Sequence, residues 1–145
     1  MYLVGERILI TLWIGALWAI GYLAVPTLFA SLQDRMLAGM LAGKMFTIVS
    51  YIGFVCGALL LLGEGSRRGR AVLRSPRAWL LVGMVVLVAV GQFWIEPLIA
   101  ALKAQPLVDG TPRMATFMRL HGIAETLYLF TSIGGLLLVA GFRSR

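Results

Sequence analysis

Four long apolar runs joined by short charged connections constrain this chain more than any other feature. Ile8 to Gln33 is 26 residues without a charge, and Met45 to Gly63 is 19. Ala78 to Leu102 is interrupted only by Glu96, while Phe117 to Phe142 carries Arg119, His121 and Glu125 in its first turns. About 20 residues cross a hydrocarbon core as a helix, whereas barrel strands are alternating segments of about ten. The runs predict an all-α integral membrane four-helix bundle, with spans near 8–32, 41–63, 78–102 and 117–142 in one domain, 1–145. Short connections make sequence neighbours antiparallel. At 60% hydrophobic and 13% charged, the chain lies outside the soluble range of about 45–50% apolar and about a quarter charged. The single cysteine, Cys56, excludes an internal disulfide framework and a cysteine-rich metal cluster.

Basic residues set the expected orientation. Of the 13, Arg7, Arg67, Arg68, Arg70, Arg74, Arg77, Arg143 and Arg145 share the side of the termini and the middle loop. Arg35, Lys44, Lys103, Arg113 and Arg119 share the other. The positive-inside rule places both termini in the cytoplasm. The loop arginines read as topology determinants lying against anionic lipid head groups. No folded basic domain or aromatic platform accompanies them, so nucleic acid is not an expected partner. The first run exceeds a 7–15-residue signal core and ends at Pro26 without a small-x-small site, which predicts a retained helix.

The two halves resemble each other in outline. Gly21-Tyr22-Leu23-Ala24-Val25-Pro26 near the end of the first span is matched by Gly91-Gln92-Phe93-Trp94-Ile95-Glu96-Pro97 in the third. The second and fourth spans finish in small, leucine-rich stretches, Gly57–Gly63 and Gly135–Gly141. Such a pattern fits a tandem repeat of two hairpins and equally fits convergence of membrane composition. Either way, Pro26 and Pro97 free backbone carbonyls near the outer ends of their helices.

Polar residues gather in the outer half of the spans. His121, Glu125, Tyr128, Ser132 and Gly135 follow at +4, +3, +4 and +3, a single helical stripe. Gln92 and Glu96 share a face of the third span, Thr11, Gly15, Trp18 and Tyr22 form a stripe on the first, and Lys44 and Tyr51 lie two turns apart on the second. A charge inside a span costs roughly 2.5–3.5 kcal/mol, so such groups turn toward the bundle and find partners. The pattern predicts an outer-facing pocket lined by Glu96, His121 and Glu125, with Tyr22, Tyr51, Gln92 and Tyr128 around it. A structural reading stands beside it, in which these groups are hydrogen-bonded glue between helices.

His121 and Glu125 also have the i, i+4 spacing of two metal ligands, and Met114 and Met118 offer thioethers suited to a soft ion. Methionine is equally a gap-filler in apolar packing, and no cofactor is required by the sequence. One histidine leaves a haem a ligand short unless a methionine or second chain contributes. Gly39/Gly43 and Gly53/Gly57 are small-xxx-small pairs that let helices approach or self-associate. They point away from Lys44 and Tyr51, which are expected on the polar side. Cys56 reads as a small apolar filler, and Trp79 and Trp94 as interface anchors. No nucleotide-binding, nucleophile-elbow or zincin motif occurs, so an enzyme is not the expected class.

Leu12-Trp13-Ile14-Gly15, Val25-Pro26-Thr27-Leu28-Phe29, Ala42-Gly43-Lys44-Met45-Phe46 and Phe117-Met118-Arg119-Leu120-His121-Gly122 carry a family resemblance across all four spans. The chain is similar to the bacterial family called domain of unknown function 4149 (DUF4149), which also embraces the eukaryotic transmembrane protein 205. The resemblance implies a four-span protein of the bacterial inner (plasma) membrane with no established activity. The eukaryotic relative's association with platinum-drug resistance fits a soft-ion reading. Pro26, Phe46 and His121 carry over from the family, while Glu125 rests on its spacing alone. Three readings follow: a pocket that binds or transports a proton, a soft metal ion or a small polar ligand; an assembly subunit whose small-residue faces recruit a second copy or another membrane protein; and a haem- or quinone-linked redox protein.

Overall fold

The computed structural model describes residues 4–141. Phe142, Arg143 and Arg145, expected at the last span's end and among the inside charges, lie outside the described residues. Four helices are long and apolar enough to span a membrane, and the chain is a multi-pass membrane protein. They are α1 (Val4–Ser31), α2 (Arg35–Arg68), α3 (Pro76–Lys103) and α4 (Pro112–Val139). α2, α3 and α4 begin earlier than their apolar runs because capping chemistry sits in the charged connections. Asp34 accepts from the amides of Met36 and Leu37, Ser75 from that of Ala78, and Thr111 from that of Met114. Ser75 and Thr111 are each followed by a proline, which suits the first helical position. At its other end, α2 stops at Gly69, whose φ of 52° is a conformation glycine reaches without strain.

Each helix packs on its sequence neighbours and α4 returns to α1, closing a four-membered ring. One end of the bundle holds Glu6, the α2–α3 connection and Gly141, and is called the termini end. From Glu64 to Lys44 in α2 is 20 residues, and from Arg77 to Glu96 in α3 is 19, about 30 Å at 1.5 Å per residue. That matches a hydrocarbon layer of about 30 Å. A layer of that thickness would have Glu64 and Arg77 at its edge at the termini end and Lys44 and Glu96 at its edge at the far end.

Between these edges the half nearer the termini is tightly filled. Trp13, Ile14, Leu17, Cys56, Leu60, Leu81, Met84 and Leu138 form its buried core. Water-driven burial contributes little between helices in lipid, so close van der Waals packing has to hold them together, and glycine supplies the fit. A Cβ on Gly53 would lie 2.7 Å from Nε1 of Trp13, and one on Gly57 2.5 Å from Val85. Gly134 likewise receives Met84, at 2.8 Å, and Gly135 receives Ile14, at 2.7 Å. The Gly53/Gly57 face expected to permit self-association is thus occupied within the chain.

The far half is looser. No side chain between Ala19 and Ser31 is buried, and the buried residues of α4 begin at Thr131. On the other two helices, Ala38, Ala42, Ile95 and Ile99 remain buried. The far ends of α1 and α4 accordingly leave inward-facing groups accessible.

Both prolines act through π turns. Ala19–Ala24 precedes Pro26 and Gly91–Ile95 precedes Pro97. The residue before each proline, Val25 or Glu96, donates its amide five residues back, to Ile20 and Gly91 respectively. A proline in a helix clashes with the carbonyl four residues before it and donates no bond, and a widened turn relieves that conflict. Single π turns inside α-helices frequently mark functional sites.

Candidate binding cleft

Glu96 stands at the exit of the second π turn, half-buried, on the side of α3 that meets α2. A Cβ on Gly43 would lie 3.5 Å from its Oε1, so glycine leaves the carboxylate space without closing over it. Lys103 and the imidazole of His121 are the groups within its electrostatic reach. Lys103, two turns further along α3, holds its Nζ 5.8 Å from the centre of the Phe117 ring. That ring stacks on His121 with centres 5.6 Å apart and planes within 15°.

Below this mouth lies an aromatic floor. Phe46, one turn deeper than Gly43 on the same face of α2, meets Tyr128 edge-on with ring centres 5.1 Å apart. Tyr22 approaches the same ring at 6.2 Å. The Tyr128 hydroxyl donates to the carbonyl of Leu17, and the tyrosine ring lies against Gly21. Leu17 lies just before the π turn of α1 and Gly21 lies within it, so a side chain of α4 packs onto that turn. Gly21 is required here, because a Cβ at this position would collide with the tyrosine ring.

The structure divides the expected residues. Glu96, Gln92 and Tyr128 are partly buried, and Tyr128 lies on the inward face with Ser132 and Gly135. His121 and Glu125 pair with each other at 3.3 Å, and their side chains are 46% and 71% exposed. Glu125 therefore does not line the interior with Glu96 as expected. At 3.6 residues per turn it stands about 60° round the helix from Tyr128, and no neighbouring helix closes over it at this level. Tyr22 and Tyr51 are 53% and 54% exposed; Tyr22 still edges the floor, whereas Tyr51 contacts Phe54 outside it. Thr11 and Gly15 also face outward, and the inward stripe of α1 is Ile10, Trp13, Ile14 and Leu17. On α2 the expectation is reversed: Lys44 is exposed, and the glycine face meets Glu96. In an apolar bundle, fit to small residues chose the inward faces over polarity.

Among the metal candidates, Met114 is half-buried and Met118 is 56% exposed. Among the described residues no group of three or more His, Cys, Asp or Glu is placed to hold a metal ion. The donors His121 and Glu125 make a pair rather than a coordination shell.

A second polar cluster, at the termini end, was not foreseen. Glu6 and Glu64 are buried beneath three arginines. Arg67 bridges both acids, lying 3.0 Å from Glu64. Arg68 pairs with Glu64 at 2.7 Å, and Arg77 reaches Glu64 at 3.2 Å and Glu6 at 3.5 Å. The Ser75 hydroxyl donates to Glu64 at 3.2 Å and caps α3. The available signal was the i+3 and i+4 spacing of Arg67 and Arg68 from Glu64. Arginines read as lipid contacts thus include three that neutralise buried acids and fasten α1, α2 and α3 together.

A family model described as "Domain of unknown function (DUF4149)" matches residues 8–106, more than half of the chain. The match runs through α1, α2 and α3, includes Gly43 and Glu96, and stops before α4. No curated protein and no solved structure matches.

Proposed function

The chain belongs to the DUF4149 family, and we propose that its far-end cleft is an outward-facing cation site of a bacterial inner-membrane protein with cytoplasmic termini. Glu96 is the binding carboxylate, Lys103 sets the local charge with the His121 imidazole nearby, and Phe46, Tyr22 and Tyr128 form the floor. The observation that carries this reading is the placement of Glu96: half-buried at a π turn, facing a glycine, between helices that do not close over it. A carboxylate in that setting is able to exchange a proton for another cation. Below Tyr128 the interior is packed with Trp13, Leu17 and Leu60, so the reading is one of uptake and binding from the far side. Passage further requires α1 and α4 to move.

A hydrophobic carbodiimide, which attacks protonated carboxyl groups in apolar surroundings, tests the site directly. Purified full-length protein in lipid nanodiscs is treated across a pH series and the adducts are mapped by peptide mass spectrometry. Modification at Glu96 is expected at acid pH and falls as pH rises, because the ionised carboxylate is the unreactive form. Absence of modification at Glu96 throughout the series contradicts the proposal.

A further inference from the structure

Resting on the reading of Glu96 as the binding carboxylate, we infer that the site's ligand class is an amphipathic organic cation, an ammonium or phosphonium head on an apolar body. The chain already places an ammonium of its own in the mouth: Lys103 Nζ stands over the Phe117 ring and within electrostatic reach of Glu96. A Cβ on Gly39 would come within 3.9 Å of that nitrogen, so α2 presents bare backbone to it as it does to Glu96. The Phe117 ring under that ammonium attracts a cation by about 0.5–2 kcal/mol. One turn below Gly43, the edge-to-face rings of Phe46 and Tyr128 offer apolar contact to a ligand's body.

Charge and depth agree with this class. Hard inorganic cations collect six or more oxygen ligands, and soft ones need several nitrogen or sulfur donors. Here one carboxylate faces inward while Glu125 is turned out and paired with His121. A large cation of low charge density needs a single counter-charge and apolar surface, here Glu96 and the rings of Phe117, Phe46 and Tyr22. Glu96 would lie at the edge of the hydrocarbon layer with the aromatic floor deeper. The head of such a ligand would stay at the interface and its body would enter the bundle. Lys103 then acts as a tethered competitor that a ligand displaces.

The probe is tetraphenylphosphonium, measured by equilibrium dialysis against the full chain in nanodiscs of zwitterionic lipid, with empty nanodiscs subtracted. Saturable binding is expected. It weakens about tenfold or more in Glu96→Gln and tightens several-fold in Lys103→Ala. Lys44→Ala, which removes an exposed cation from the same end, leaves it unchanged. Thermal unfolding of each variant verifies that it is folded, and Lys103→Ala reads the competition independently if Glu96→Gln fails to fold. Binding no greater than to empty nanodiscs, or equal in the wild type and folded Glu96→Gln, overturns the inference. If the carbodiimide modifies Glu96 as expected while tetraphenylphosphonium neither binds nor protects it, the ligand class fails and the cation site stands. If Glu96 is also unreactive, both fail.

Discussion

Removing the hydroxyl of Tyr128 strips a donor from the carbonyl of Leu17 in α1. Tyr128→Phe is expected to destabilise the protein by about 0.5–2 kcal/mol, the range for a hydrogen bond whose partners are left in an apolar interior. Gly21→Ala forces the same ring away and is expected to cost about 1–3 kcal/mol. Because both changes break one contact, the double variant should be little worse than the worse single variant in thermal unfolding. Full additivity would show that the hydroxyl and the glycine act separately. Tyr128 was legible as an inward residue from its spacing with Ser132 and Gly135, and Glu96 as the lone acid of its span. Glu125 was misplaced because a stripe alternating by three and four spreads over a wide arc of the helix. Glu6 and Glu64 sit just beyond the uncharged runs, where a charge raises no alarm, and their burial depends on helices distant in sequence.

At the level of elements, the spans were readable because length and hydropathy alone decide them, and their true starts lie with the caps at Asp34, Ser75 and Thr111. The π turns were only half readable. Pro26 and Pro97 announced that a backbone bond would be lost, but how the chain absorbs that loss depends on what packs there. For α1 the answer is Tyr128, and for α3 it leaves Glu96 at the turn's exit. The ion-pair cluster is the corresponding device at the termini end, tying α1, α2 and α3 through Arg67 and Arg77, which each reach both acids. Glu64→Ala leaves Glu6 as the remaining acid beside Arg67 and Arg77 and removes the acid that pairs with Arg68. It should lower stability by about 2–3 kcal/mol, below the roughly 3–5 kcal/mol of a fully buried pair, because Arg67 and Arg68 keep 35% and 47% of their side chains exposed. Thermal unfolding of this variant indistinguishable from wild type would remove the cluster's fastening role.

For the whole molecule, the two ends have opposite characters. The termini end is tied by ion pairs above a glycine-fitted core, and the far end has few buried side chains around one half-buried carboxylate and a pair of aromatic rings. Such asymmetry is what a site loaded from one side of a membrane needs, and it was invisible in a sequence whose apolar runs look alike throughout. Gly43 offers the most direct measurement, since a side chain there meets Glu96 at ordinary contact distance and should be tolerated. Gly43→Cys in intact cells is treated from outside with a membrane-impermeant maleimide, and the buried Cys56 serves as the unreactive internal reference. The account predicts modification at position 43 and none at Cys56. Protection of position 43 from the outside reagent, or its modification only from the cytoplasmic face, would contradict an outward-facing cleft.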